Sequence, residues 1–279
     1  MTSPTTAEKR ATFAALHRGP DLFVAPNAWD AGTARLLTGL GFPALATTSA
    51  GLAIALGVRD SSATLSRAAV LANARDIVAA TDLPVSADLE DGFGPTPENV
   101  AETVRQATDV GLAGGAIEDA TGNDSDPIYD IDTATARIRA AVAAKTDSNF
   151  LITARSENYL FGRPNLPDTI RRLQAFEAAG ADVLYAPGLP DIAAVRAVCD
   201  AVSAPVNVLI GITTTPYTVA DLAAAGVRRV STGGSLARAA LGAVVRGAVE
   251  LRDHGTAGYV STSMSGADIM AQMRDVKRT

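Results

Sequence analysis

"PVSADLEDGFGPTPENVAETVRQATDVGLAGGAIED", residues 84–119, contains one complete unit of this chain's design. Its opening, 84–90, is a short apolar run of strand character. Thr96 stands where a helix N-cap belongs and Pro97 takes the first helical position. Gly111 stops the helix-like run that follows. A second strand-like run, "GAIED" (115–119), begins within a few residues.

Working outward, the same unit recurs. The strand runs on the N-terminal side are "LFVAPN" (22–27) and "ALATTS" (44–49). On the C-terminal side come "FLITARSE" (150–157), "DVLYAP" (182–187), "PVNVLI" (205–210) and "RRVSTG" (228–233). Ala-rich amphipathic runs such as 166–180 separate them, and "GLAGGAI", "AAGADV" and "AAGVRRV" repeat the Gly stop before a strand. Eight such units predict a single (β/α)8 TIM barrel, an α/β fold spanning 1–279. A doubly wound open sheet is the rival, but "PNAWDAG" after the first strand is no Gly-rich nucleotide turn. Residues 1–20 are expected to form an extra helix capping the barrel bottom. The eighth helix is expected over about 235–252, and 253–279 form a C-terminal helical extension. Its run 265–275 is amphipathic, suited to a neighbouring subunit and to exchange between subunits.

The 279 residues are 47% hydrophobic, with a formal net charge of −6 and no basic run, which argues against a nucleic-acid partner. No apolar stretch reaches the roughly 20 residues needed to span a bilayer, and the N-terminal stretch lacks a signal-peptide core. Cys199 is the only cysteine, so a reducing cytoplasmic setting is expected, with this thiol buried and inert.

Barrel chemistry sits at the C-terminal ends of the strands. Alternation along a strand puts Asp88 and Glu90 on one face at the end of the third run, beside Glu118 at the end of the fourth. Arg155 and Glu157 follow at the end of the fifth. Carboxylates so crowded relax by taking up a proton or a cation. Arg155 covers one charge at most, and the two histidines, His17 and His254, lie away from the strand ends. The remaining donors are all oxygen, which suits Mg2+ or Mn2+. Asp88 is expected as the direct metal ligand, with Glu90 and Glu118 holding its waters. The alternative is a rim of solvated acids, a pattern more often found along a helix.

After the second strand, Ser49, Ala50 and Gly51 are small enough for backbone N–H groups to approach an anion, and Asp60 lies in the same loop. An ordinary turn is the alternative there. "STGGSLARA" (231–239) has the look of the phosphate grip found after late barrel strands. Trp29 and Asp30 are expected to pack and cap the first barrel helix.

These segments together resemble the isocitrate lyase/phosphoenolpyruvate mutase superfamily. "PVSADLEDGFG", "GLAGGAIED" and "LITARSEN" carry the resemblance, which extends from "GTARLLTGLGF" to the eighth strand. It implies a barrel, usually tetrameric, that makes or breaks C–C or P–C bonds of 2-oxo acids through a pyruvate enolate, with Mg2+. It implies Asp88, Glu90 and Glu118 around the metal, with Asp60 nearby. Ser49, Ala50 and Gly51 would receive the substrate carboxylate and enolate oxygen, and Arg155 would clamp a departing or distal anion. Arg155, Asp60 and Glu118 are thus the expected catalytic residues, and Asn207 joins the substrate-binding set.

The chain departs from the family where lyases carry Lys-[KR]-Cys-Gly-His: "DATGNDSDPIYDID" (119–132) has no Lys, Cys or His. Pro187 stands where lyases have Glu and mutases His. Retro-aldol cleavage asks for an acid and a base, whereas decarboxylation of an oxaloacetate-type acid asks mainly for a Lewis acid. The expected reaction is therefore Mg2+-dependent C–C cleavage of a small 2-oxo acid, decarboxylation before 2-alkylmalate or isocitrate-like cleavage. Tyr159 or Tyr185 is a candidate substitute acid. The alternatives are a P–C mutase or hydrolase, and a barrel that binds a 2-oxo acid without turning it over. A cytoplasmic homo-oligomer, dimer or tetramer, is expected.

Overall fold

The computed structural model describes residues 3–61, 64–212 and 217–273. Among these described residues, nine parallel strands form one nearly closed sheet: β1 Phe23–Ala25, β2 Asn27–Ala28, β3 Leu45–Thr47, β4 Val85–Asp88, β5 Gly114–Glu118, β6 Leu151–Arg155, β7 Val183–Tyr185, β8 Val206–Leu209 and β9 Arg229–Ser231. β1 and β2 are one stave broken at Pro26, which has no N–H to give. Its first half pairs with β9 and its second half with β3, so this stave joins the two ends of the sheet. Helices α2 (Ala31–Gly39), α3 (Ser49–Leu56), α4 (Arg67–Ala80), α5 (Pro97–Asp109), α6 (Ile131–Ala143), α7 (Leu166–Ala178), α8 (Ile192–Ala201) and α9 (Val219–Ala224) connect the staves. The expected TIM-barrel fold is the observed one.

The helices form where apolar periodicity and caps coincide. In α5, Thr96 caps the backbone of Asn99, Pro97 takes N1, and Val100, Thr103, Val104 and Ala107 face inward at three- and four-residue spacing. Helix α1 (Thr6–Arg18) lies under the barrel. Its Phe13 is fully buried among Phe23, Ala44, Ala113, Leu151 and Val183, at the starts of five staves. Arg10 donates to the carbonyls of Thr108 and Leu112, and Lys9 to that of Thr81. These contacts satisfy backbone acceptors at the lower ends of α5 and α4.

Sheet register matters for the site. Glu118 pairs with Arg155, Arg155 with Tyr185, Tyr185 with Asn207, Asn207 with Arg229 and Arg229 with Phe23. Barrel strands are tilted and staggered, so this row descends from the rim at Glu118 to Phe23, whose ring meets those of Phe13 and His17 on α1.

The long helix α10 (Ser235–His254) differs from the others, because only Ala237 and Gly247 are buried and Val244 is 65% exposed. The short helix expected over 265–275 is α11 (Gly266–Gln272), with 274–275 outside the described residues. Within this chain, α11 lies against α2, with Gln272 beside Gly39. Cys199 is half-buried against Gly226, and burial pushes its thiol up to about 11.

Candidate active site

A cavity of about 340 Å3 opens at the C-terminal ends of the staves. Six carboxylates line it, those of Asp60, Asp88, Glu90, Asp91, Glu118 and Glu157, against two guanidiniums, Arg155 and Arg229. Arg155 Nη1 lies 3.1 Å from Asp88 Oδ1 and 2.8 Å from Glu118 Oε1, and its Nε donates to Glu157 Oε1 at 2.7 Å. Burial works against the Arg155 charge, but Glu118, Glu157 and Asp88 outweigh it and hold the guanidinium well above its usual range. One cation therefore answers three acids.

The acids retain an excess of negative charge. Burial first, then Asp88, Asp60 and Asp91, push Glu90 up to about 9, with Arg155 opposing. Glu118 is raised well above its ordinary value by burial, against Arg155 and with Glu157, Asp88 and Glu90. Asp60, exposed at the mouth, is raised by desolvation and by Asp88. Glu90 Oε1 is buried and has no hydrogen-bond partner among the described residues. An orphaned acceptor amid like charges is where a cation or its water would sit. No three His, Cys, Asp or Glu side chains among the described residues converge into an all-protein metal cage. A hard ion taking one direct carboxylate and several waters needs no such cage. The oxygen donors, the unpaired Oε1 and the charge excess fit Mg2+ or Mn2+ held in that way.

How Glu90 arrives differs from strand alternation. Strand β4 ends at Asp88, and Glu90 (φ 48°) and Phe93 (φ 59°) are left-handed residues in a tight coil with Gly92 and Gly94. A Cβ on Gly92 would strike Val100, and one on Gly94 would strike Asn99. Non-glycine residues hold such conformations only when their surroundings insist. Here Glu118 N–H donates to the Glu90 carbonyl at 2.9 Å and Thr103 Oγ1 to that of Gly92 at 2.7 Å. Arg137, fully buried, donates to the carbonyls of Asp91 and Gly94. The coil is pinned carbonyl by carbonyl.

Ser49 and Ala50 line the cavity as the first turn of α3 rather than as an open loop, and Ser49 N–H and Oγ both donate to Asp88 Oδ2. Gly51 is not at the cavity wall. It lies behind, close to Trp29, and its N–H donates to the Thr48 cap. Asp30 caps α2. The expected phosphate grip is already filled, because Asn27 Oδ1 accepts from the N–H groups of Thr232 and Gly233. Asn207 faces the cavity, but both ends of its amide are engaged: Oδ1 accepts from Arg229 Nε at 2.7 Å and Nδ2 donates to Ser231 Oγ at 2.9 Å.

Of the two tyrosines, Tyr185 lines the cavity and Tyr159 does not. The segment 119–132 contributes only Ala120 and Gly122 to the wall. Its Asp119 is buried behind, accepting from Glu157 N–H and from Arg172 Nη1, and burial lifts it to about 7. Sequence reasoning did not identify Asp119, Arg137 or Arg229. For Arg229 a signal existed, since strand parity puts it on the same face as Ser231.

A sequence model of the phosphoenolpyruvate phosphomutase family matches residues 13–252. Among solved structures, a candidate lyase/mutase from Burkholderia cenocepacia J2315 is 52% identical, with 95% of each chain covered and a TM-score of 0.92. Phosphonopyruvate hydrolase, solved with oxalate and Mg2+, is 28% identical over 95% of this chain and 94% of its own, with a TM-score of 0.85. The 2-methylisocitrate lyase of Escherichia coli K12 is 36% identical over 143 residues, 49% of this chain and 48% of the enzyme, so the match spans about half its length. An oxaloacetate decarboxylase of Bradyrhizobium diazoefficiens is 31% identical over 67% of this chain and 66% of its own.

Proposed function

Because the chain belongs to the isocitrate lyase/phosphoenolpyruvate mutase superfamily, we propose that it is a Mg2+-dependent lyase that breaks a C–C bond of a small 2-oxo acid. The observation that carries this reading is the acid cluster around the unpaired Glu90 Oε1, set at strand ends in a cavity sized for a small acid. Relatives named for C–C cleavage and a neighbour holding oxalate and Mg2+ support it.

Asp88 would hold the ion directly, and Glu90 and Glu118 would hold its waters. The bound ion supplies a Lewis acid for charge developing on the 2-oxo oxygen. In decarboxylation the bond from C3 to the departing carboxylate breaks, its electron pair moves toward the 2-oxo group, and CO2 leaves. A proton on C3 then completes the keto acid. The chain's task is positioning. The first turn of α3 presents Ser49 and Ala50 at the positive end of a helix, where a carboxylate is favoured. Arg155 keeps Asp88, Glu118 and Glu157 in register. Leu160, Phe161 and Ile212 make an apolar rim that limits water. With only Ala120 and Gly122 facing the cavity from 119–132, solvent is the proton source.

Pyruvate release from oxaloacetate and from 2-alkylmalates, with Mg2+, tests the reading against Asp88→Ala. Turnover of one of them, reduced at least ~1000-fold in the variant, supports it, and no turnover above the variant removes it. P–C cleavage is the second reading, favoured by the likeness to phosphonopyruvate hydrolase. Phosphonopyruvate turnover without oxaloacetate turnover would select it. We further propose that α10 covers its exposed Leu241, Val244, Val245 and Val249 against a second copy of the chain. Light scattering of a monomer at micromolar concentration would refute this.

A further inference from the structure

Among the described residues, Arg229 is the second cation of the cavity and the one without an acid partner. It is 4% exposed, and no carboxylate lies within ion-pair reach of it among the described residues. Its Nε donates to Asn207 Oδ1 and its Nη2 lies 3.4 Å from Thr153 Oγ1, both neutral partners, while Nη1 is buried with no partner among the described residues. Burial lowers it to about 10, and Arg155 adds to that. A buried guanidinium without a counter-charge is costly, and the Asn207 amide oxygen holds this one in place.

The cavity therefore carries charged groups on two sides of a partly apolar wall. Asp88, Glu90, Glu118 and Glu157 come from the β4–β6 side and surround Arg155. Across the row, toward the floor, stand Asn207, Ser231 and Arg229 on β8 and β9. A substrate whose 2-oxo carboxylate end lies at the acidic wall with its ion would turn its other end toward Arg229. Arg155 already answers three carboxylates and has the least charge to spare.

We propose that Arg229 is the specificity-determining residue that receives a further carboxylate of the substrate, one kept through the reaction, so that the substrate carries it in addition to its 2-oxo or 2-hydroxy acid end and to any carboxylate lost as CO2. The retention follows from charge. An ion pair to a departing carboxylate is strongest before CO2 leaves, so it would stabilise the ground state and oppose the step. A carboxylate that stays ionised can be gripped throughout. Asn207 is a positioning residue in this scheme, aiming the guanidinium through Oδ1.

The proposal rests on the metal-dependent 2-oxo acid reading above, and calorimetry separates the two. Oxalate with Mg2+ fills the acidic end alone, and its failure to bind the wild-type protein sinks the broader reading. Matched pairs then probe the far end: 2-oxoglutarate against 2-oxopentanoate, and 2-oxoadipate against 2-oxohexanoate, which differ in the terminal carboxylate. The wild type is expected to prefer the diacid of at least one length by about tenfold or more. Arg229→Gln, checked by its thermal unfolding, is expected to lose that preference to within about threefold while oxalate affinity changes less than threefold. Arg229→Lys keeps part of it, a charge without the fork. The proposal is overturned if the wild type has no preference, or if the preference survives Arg229→Gln. It is equally overturned if Arg229→Gln weakens oxalate and diacid alike, which would make Arg229 a support for the barrel floor beside His17. Should Arg229→Gln not fold, Arg229→Lys decides: a reduced preference with oxalate binding changed less than threefold keeps the assignment, and an unchanged preference ends it.

Discussion

Arg155 Nη1 and Asp88 Oδ1 meet at 3.1 Å although their staves, β6 and β4, are separated by β5, and the same nitrogen lies 2.8 Å from Glu118 on that intervening stave. The ion pair thus spans the acidic wall like a strut. A mobile cation binding Asp88 would share the work that Arg155 performs alone in the metal-free protein. The two positive charges would then be coupled through their common carboxylates.

Arg155→Gln is therefore expected to destabilise the metal-free protein by about 3 kcal/mol, because buried acids lose their partner. Millimolar MgCl2 should raise the melting temperature of this variant more than that of the wild type, since more uncompensated charge awaits it. Thermal unfolding with and without Mg2+ measures both. An equal response in the two proteins would show that the ion does not share these carboxylates.

A second expectation concerns a residue outside the cavity. Arg137 on α6 donates to the carbonyls of Asp91 and Gly94 and stacks over Tyr129 at 4.5 Å. Arg137→Met keeps the stem but strips two buried acceptors of their donors, a cost of about 3 kcal/mol. The left-handed coil at Glu90 is then free to relax, so Mg2+-supported oxalate binding should weaken about tenfold or more in protein that is still folded. Unchanged oxalate affinity would mean that the coil holds itself.

How much of this could be read from the chain follows from where the information lies. Gly111, Gly180 and Gly226 stop helices within a few residues of a strand, and that local repetition reveals the barrel. Asp88, Glu118 and Arg155 are terminal strand residues, so their meeting at one rim follows from the topology. Glu90 reaches the same rim by a left-handed turn that alternation does not describe. The filling of the Thr232–Gly233 donors by Asn27 depends on closing the barrel, a contact over about two hundred residues that no local pattern encodes. Arg137 looks like any helix arginine until α6 is packed against the coil after β4. Arg228 and Arg229 are neighbours of one type in sequence, and only the inward turn of the second gives it a task.

Tyr185 lines the cavity, yet its phenol is poorly suited to giving up its proton. Burial raises it above its ordinary range, with Arg155, 4.9 Å over the ring, opposing. Tyr185→Phe is expected to reduce pyruvate formation from oxaloacetate by less than about tenfold, below the usual effect of removing a general acid. A loss of about a thousandfold would make Tyr185 the proton donor in place of solvent.

The barrel floor should report on pH through His17. Its Nδ1 lies 2.8 Å from the Phe13 carbonyl, its ring sits edge-on to Phe13 and Phe23, and Nε2 is buried without a partner among the described residues. Burial, then Arg229, lower it from 6.5 to about 3, with the Phe13 carbonyl opposing. An unfolded chain takes up this proton below about 6.5, while the folded chain resists it down to about 3. The folded state therefore binds fewer protons across that window, and His17's contribution is present above it and lost as pH falls, by about 1.4 kcal/mol per pH unit. His17→Phe removes the titration while keeping an aromatic ring in the slot. The difference in urea-unfolding free energy between wild type and variant, followed from about pH 7 to about pH 4, should change in the variant's favour by roughly that slope. A pH-independent difference would mean that His17 takes up its proton as readily in the folded protein as in the unfolded chain, despite Arg229 beside it.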